Sequence, residues 1–154
     1  MFLQKMSRGR VRNYIVSKIF IDTNILVYTL DTKNNEKRDA AREIVKKVVE
    51  SHLPVISTQV IQEFYVVASS KLKADSIAVK NIIHNFHNME IVNNDLELIE
   101  QAIDISVLSQ LSLWDSLIIA SAEKANCEYV LSEDLNSGQN YRGIKLLNPF
   151  LQDF

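Results

Sequence analysis

Four acidic residues stand where their chemistry matters most. Asp22 closes the apolar run Lys18-Ile-Phe-Ile-Asp22, Glu63 lies within a helical pattern, Asp115 follows Trp114 near a helix start, and Asp134 follows Leu131-Ser132-Glu133. Carboxylates brought together repel, and burial raises the cost of each charge. A cluster of four is therefore stable mainly when protons or cations neutralise it. Oxygen donors with no His or Cys in the same motifs suit Mg²⁺ or Mn²⁺ rather than zinc. Taken singly, each acid has a plainer reading. Asp22 can cap the helix after it. Asp115 stands three residues after Ser112, at capping-box spacing, where an acid also favours the helix dipole. Asp134 suits ordinary turn chemistry. Glu63 lies on the flank of its helix's apolar face, where a lone acid is usually solvated. Only convergence on one edge separates the two sets of readings.

The elements that would bring them together follow from periodicity. Short apolar runs predict strands over Lys18–Asp22, Pro54–Ser57, Met89–Val92, Glu128–Leu131 and Ile144–Leu147. Helical patterns fill the gaps: a short turn over Asn24–Leu30, then Asn35–Ser51 and Thr58–Lys71. Asp75 caps another helix reaching about His87, and Asp95–Leu108 and Ser112–Ala125 follow. The expected apolar faces include Val48 and Val49 on the second helix and Ala102, Ile103 and Ile105 on the fifth. Strands that are apolar on both faces and separated by helices indicate a parallel sheet covered on both sides, an α/β fold. In such folds ligands bind beyond the carboxyl ends of the strands. Asp22, the start of the Glu63 helix and Asp134 all follow strand ends directly.

The chain has 154 residues, 47% of them apolar and 23% charged, which suits one globular domain and excludes wholesale disorder. The single cysteine, Cys127, rules out an internal disulfide and a cysteine-ligated zinc site. No apolar run is long enough for a bilayer span and no signal-peptide core is evident, so a cytoplasmic protein without a membrane partner is expected. Residues 1–18 carry Lys5, Arg8, Arg10, Arg12 and Lys18 and no acid; the remainder holds 12 basic and 19 acidic residues, a net of −7. Residues 1–17 read as a basic extension, either an arm for phosphates or an artefact of start-site choice, ahead of a domain over 18–154. The cations Lys33, Lys37, Arg38, Arg42, Lys46 and Lys47 alternate with Glu36, Asp39 and Glu43, as on a solvated helix face with i, i+4 pairs. His84 and His87 have a spacing a metal can use, but no third ligand accompanies them. Trp114 and Phe64 read as core or dimer packing rather than as platforms for bases.

Ile21-Asp22-Thr23-Asn24-Ile25-Leu26-Val27-Tyr28, the Glu63 helix, Trp114-Asp115-Ser116-Leu117-Ile118 and Leu131-Ser132-Glu133-Asp134-Leu135 together resemble the PIN domain. More closely they resemble the VapC-like ribonuclease toxins of toxin–antitoxin pairs. The tail Gly143 to Phe150 is similar to the family's ending. The resemblance implies a three-layer α/β/α sandwich with a short parallel sheet. It also implies metal-dependent cleavage of RNA at Asp22, Glu63, Asp115 and Asp134, with Asn24 and Ser132 supporting the site by hydrogen bonds. Glu133 is not assigned to the metal. The ion expected is Mg²⁺ or Mn²⁺, and the reaction is hydrolysis by an activated water. The implied partners are an RNA substrate, a cognate antitoxin and a second copy in a homodimer. The competing reading is a PIN-like module that binds RNA or protein without catalysis, which loss of an acid would favour. A phosphatase that pairs its strand-end Asp with a second Asp two residues on fits poorly, because that position is Asn24.

Overall fold

The computed structural model describes residues 16–154; residues 1–15 of the basic extension lie outside them. Among these residues six strands form one sheet: β1 (Lys18–Ile21), β2 (Leu53–Ser57), β3 (Glu90–Val92), β4 (Tyr129–Leu131), β5 (Asn140–Tyr141) and β6 (Ile144–Leu147). Six α-helices among the described residues accompany them: α1 (Thr23–Tyr28), α2 (Asn35–Ser51), α3 (Thr58–Ser70), α4 (Ser76–Asn85), α5 (Leu96–Ser109) and α6 (Leu113–Lys124). The strand order is β3-β2-β1-β4-β6-β5, and every pairing is parallel except β5 with β6. Two steps run from β1 outward to β3, and the chain then crosses back to β4 on the other side of β1. With right-handed crossovers, α1 to α4 cover one face and α5 and α6 the other. The packing divides in the same way: α1 rests on α2 and α3, α3 on α4, and α5 on α6. The result is a three-layer α/β/α sandwich whose direction of winding reverses between β1 and β4.

The core explains why the strands are short and apolar throughout. Ile19, Phe20, Ile21, Val55, Ile56, Val130 and Leu131 are fully enclosed, each contributing about 1.5–3 kcal/mol of burial if fully removed from water. Phe64 of α3 sits edge-on to Phe86 at 5.3 Å, so its expected place in the core holds. Helix α6 is enclosed on all sides from Ser116 to Ala122 and touches β2, β4 and β6. Its small residues Ser116, Ala120, Ser121 and Ala122 permit that close approach. Helix starts follow polar caps: Ser57 accepts from Val60 N, Asp75 from Ile77 N and Ala78 N, Asp95 from Leu98 N, and Ser112 from Asp115 N.

Several expectations are corrected. The sheet is not wholly parallel: β5 and β6 form a hairpin in which Tyr141 pairs with Ile144. Its two-residue turn places Arg142 at φ 52° and Gly143 at φ 84°, the left-handed pair that such a turn requires. Helix α4 stops at Asn85, and His87 lies in a 3₁₀ turn over Phe86–Asn88. Val49 and Ile103 are 55% and 47% exposed, so the apolar faces of α2 and α5 are narrower than the sequence pattern suggests. The α2 cations do not form i, i+4 pairs. Lys37 pairs with Glu133, Arg42 donates to Thr29 O, and Arg38 bonds its neighbours Asp39 and Asn35. Among the described residues no single helix is long and apolar enough to cross a membrane.

Candidate active site

Asp22 is the residue at which β1 becomes α1. Its backbone N–H donates to Leu131 O at 3.0 Å, which locks the end of β1 to the end of β4. Its own carboxylate caps α1, with Oδ1 accepting from Thr23 N at 2.7 Å, so the capping reading is correct as far as it goes. Oδ2 accepts from Ser132 Oγ at 2.7 Å. The buried Ser132 hydroxyl also receives Asp134 N at 3.2 Å, Leu135 N at 3.3 Å and Asn24 Nδ2 at 3.3 Å. One hydroxyl thus ties three acid-bearing or amide-bearing segments to the strand end. Asn24 completes the link: its Nδ2 donates to Asp134 Oδ2 at 3.0 Å, and its Oδ1 accepts from Glu133 N at 3.3 Å.

Glu63 is held by two side chains that the sequence pattern did not single out. Thr23 Oγ1 donates to Glu63 Oε2 at 2.7 Å, joining α1 to α3. Gln59 Nε2, one turn before Glu63, donates to its Oε1 at 3.0 Å and to Trp114 O at 3.3 Å. Both partners are acceptors, so the amide nitrogen must face them. The i, i+4 spacing of Gln59 and Glu63 was a visible signal; the 40-residue separation from Thr23 was not. Gln59 is 5% exposed and its Oε1 lacks a partner among the described residues. Asp115 stands in the first turn of α6, where its N–H donates to Ser112 Oγ at 3.1 Å. Glu133 pairs with Lys37, and its carboxylate, the largest influence on the Tyr28 hydroxyl, pushes that group up to about 12. Lys37 Nζ lies over the rings of Phe150 and Tyr28, at 3.9 and 4.9 Å from their centroids.

Asp22, Glu63, Asp115 and Asp134 line one cleft of about 130 Å³, together with Thr23, Asn24, Gln59, Trp114 and Ile118. It opens at the carboxyl ends of β1 and β4, where the winding reverses. Burial is the main force on Asp22 and pushes its carboxyl up to about 6; Glu63 and Asp134 add repulsion, while the bonds from Ser132 and Thr23 oppose the rise. The four acids share the cleft without closing on a common point. Among the described residues no three carboxylate, imidazole or thiol groups form a ready-made metal cage. Both oxygens of Asp22 and of Glu63 already accept hydrogen bonds, but each retains a second lone pair. An all-oxygen wall of this kind fits a hard divalent cation that keeps several waters and takes only one or two carboxylates directly. His84 and His87 stack edge-on at 5.1 Å, both exposed and away from the cleft lining. Trp114 is not core: its side chain is 64% exposed at the cleft.

The fold and this arrangement of acids define a class. The PIN domain family model matches residues 19–139, and the chain belongs to that family. Gly143 to Phe150 falls beyond the matched stretch. The solved structures it resembles in fold include toxins. VapC20 of Mycobacterium tuberculosis, described as a sarcin-ricin loop cleaving toxin, superposes with a TM-score of 0.60 at 17% identity, over 75% of this chain and 91% of that one. A toxin–antitoxin complex from Klebsiella pneumoniae gives 0.63 at 18% identity, over 82% and 94%. VapBC2 of Rickettsia felis, bound to a DNA fragment from its promoter, gives 0.61 at 18% identity, over 84% and 96%. No curated protein sequence matches the chain.

Proposed function

We propose that this chain is an endoribonuclease that depends on Mg²⁺ or Mn²⁺ and acts as the toxin of a toxin–antitoxin pair. The observation that carries the reading is the meeting of four carboxylates from four separate segments in one cleft at the reversal point of the sheet. Asp22, Glu63, Asp115 and Asp134 would hold the ion, one or two of them directly and the others through its waters. When bound, the ion sets positive charge against the phosphate oxygens and makes water more acidic. The chain's own part is positioning. Ser132 and Thr23 N–H fix both oxygens of Asp22, Thr23 Oγ1 and Gln59 fix Glu63, and Asn24 fixes Asp134. Ligands mounted on strand ends and helix starts keep their geometry better than ligands on loops. Attack by water, rather than by the adjacent 2′-hydroxyl, leaves 5′-phosphate and 3′-hydroxyl ends.

The toxin role is supported by the fold shared with VapC20 and with the two antitoxin-bound assemblies. An antitoxin segment that offers Arg or Lys to the acidic cleft would block it by charge-assisted hydrogen bonds. A homodimer is part of the same proposal. The test is cleavage of labelled RNA with Mg²⁺ or Mn²⁺, with and without EDTA, by the wild type and by Asp22→Asn. The expected result is metal-dependent cutting that falls by orders of magnitude in the variant. Equal cutting by the two proteins, or cutting undiminished by EDTA, overturns the reading.

A further inference from the structure

Lys37 stands in the first turn of α2, where its N–H is capped by the Asn34 side chain at 3.0 Å. A cation there faces the positive end of the helix dipole, so the helix itself gains nothing from the charge. The side chain instead reaches Glu133, 96 residues on. The ammonium is seated on the way. It lies over the rings of Phe150 and Tyr28 at 3.9 and 4.9 Å, and the two rings meet edge-on at 5.7 Å. An ion pair at a surface holds little by itself, but two aromatic faces fix the cation in place. Phe150 is held in turn: its N–H donates to Asn148 Oδ1 at 3.0 Å, and Asn148 N–H donates to Ser137 Oγ at 3.1 Å. The tail after Gly143 thus ends as one wall of the seat for Lys37.

Glu133 stands between two residues of the site. Ser132 holds Asp22, and Asp134 is exposed, tied by Asn24 Nδ2 at 3.0 Å and through its own N–H by Ser132 at 3.2 Å. Glu133 N–H donates to Asn24 Oδ1 at 3.3 Å, the long end of the hydrogen-bond range. The pair with Lys37 is the second point at which Glu133 is tied, so its backbone is fixed to α1 and its side chain to α2. We propose that Lys37 is a positioning residue: from its seat on Tyr28 and Phe150 it pins Glu133 and thereby sets Asp134 at the cleft for the ion. This rests on the metal-dependent reading of the cleft and adds to it a residue from outside, since no Lys or Arg lines the cleft among the described residues. Partners that orient ligands from behind affect metal affinity and activity nearly as strongly as the ligands do.

The full chain, stripped with EDTA and dialysed, tests it by Mn²⁺ binding, read from the EPR signal of the free ion, and by cleavage kinetics. Lys37→Met keeps the aliphatic stem and drops the charge. It should weaken Mn²⁺ binding by about tenfold or more and lower kcat by a similar factor at fixed Mn²⁺, with KM for RNA unchanged. Glu133→Gln should do the same, and the double variant should do no worse than either, because both remove one link. Lys37→Arg, which can stack and pair in the same seat, should restore most of the binding. Wild-type Mn²⁺ affinity and kcat in Lys37→Met overturn the proposal; if only its melting temperature falls, the pair is structural. Losses that add in the double variant overturn it too. So does a raised KM with Mn²⁺ affinity intact, which would make Lys37 a phosphate contact. Should Lys37→Met not fold, Glu133→Gln decides alone. A wild type that binds Mn²⁺ but cuts no RNA in any divalent ion fails the ribonuclease reading alone, and Mn²⁺ binding still decides Lys37. A wild type that binds no Mn²⁺ overturns the proposal.

Discussion

Replacing Asp22 by Asn should stabilise the fold at neutral pH while removing activity. The Asp22 carboxyl is pushed up from 3.8 to about 6, chiefly by burial. Between those two values the folded chain binds the proton more tightly than the unfolded chain, so stability falls as pH rises through the window. Above pH 6 the loss is complete, and at about 1.4 kcal/mol per pH unit it amounts to about 3 kcal/mol. Asparagine removes that charge but also changes the hydrogen bonds. Its Oδ1 can still accept from Thr23 N, while the Ser132 hydroxyl loses its carboxylate acceptor, a cost of about 1.5 kcal/mol. The net gain expected at pH 7.5 is about 1–2 kcal/mol. Urea unfolding of both proteins in EDTA measures it, because every other titrating group is common to the pair. From pH 7.5 to 4.5 the advantage of Asp22→Asn should shrink by about 2 kcal/mol and vanish or reverse, since the wild-type carboxyl is then protonated in the fold. A stability difference that stays flat over that range, or a wild type more stable at pH 7.5 than at 4.5 relative to the variant, refutes the argument.

Two further substitutions probe the supports. Ser132→Ala removes the 2.7 Å bond to Asp22 and the acceptor for two backbone N–H groups; it should cost about 2 kcal/mol in urea unfolding. Because that bond holds the Asp22 carboxyl down, the acid limb of the cleavage profile should move to higher pH. Gln59→Leu deletes the link from Glu63 to the start of α6; it should lower cleavage by about tenfold or more and cost about 1–3 kcal/mol of stability, measured by initial rates and by melting.

The layered architecture was legible because its signals are local. Apolar runs ended by an acid or by a turn mark the parallel strands, and Asn35–Ser51 and Ile144–Leu147 have the bounds the pattern predicts. The caps Asp75, Asp95 and Ser112 stand where an oxygen side chain precedes an apolar period. Strand β5 was not legible from periodicity, since two residues carry none; only Gly143, one of three glycines, hinted at the turn. The four acids could be placed at strand ends and helix starts, and the structure gathers them in one cleft. The network that orients them was mostly hidden. Thr23 to Glu63 and Asn24 to Asp134 span 40 and 110 residues, distances over which a single sequence has no period to read. The exposure of Trp114 was hidden for another reason: its place in an apolar-looking helix start says nothing of whether a neighbour covers it.

The two borders of the sheet are short strands, three residues in β3 and two in β5. Unpaired strand borders are templates on which other chains can add, and brevity blunts them. Here β5 covers the flank of β6, whose Ile144, Leu146 and Leu147 are buried. At the opposite border Lys18 pairs with Glu90 at 2.7 Å, setting charges beside β3. Both borders are thus poor templates for strand addition by another chain. The sheet's weak point in that respect is the Arg142-Gly143 turn, because loosening it would bare the apolar flank of β6.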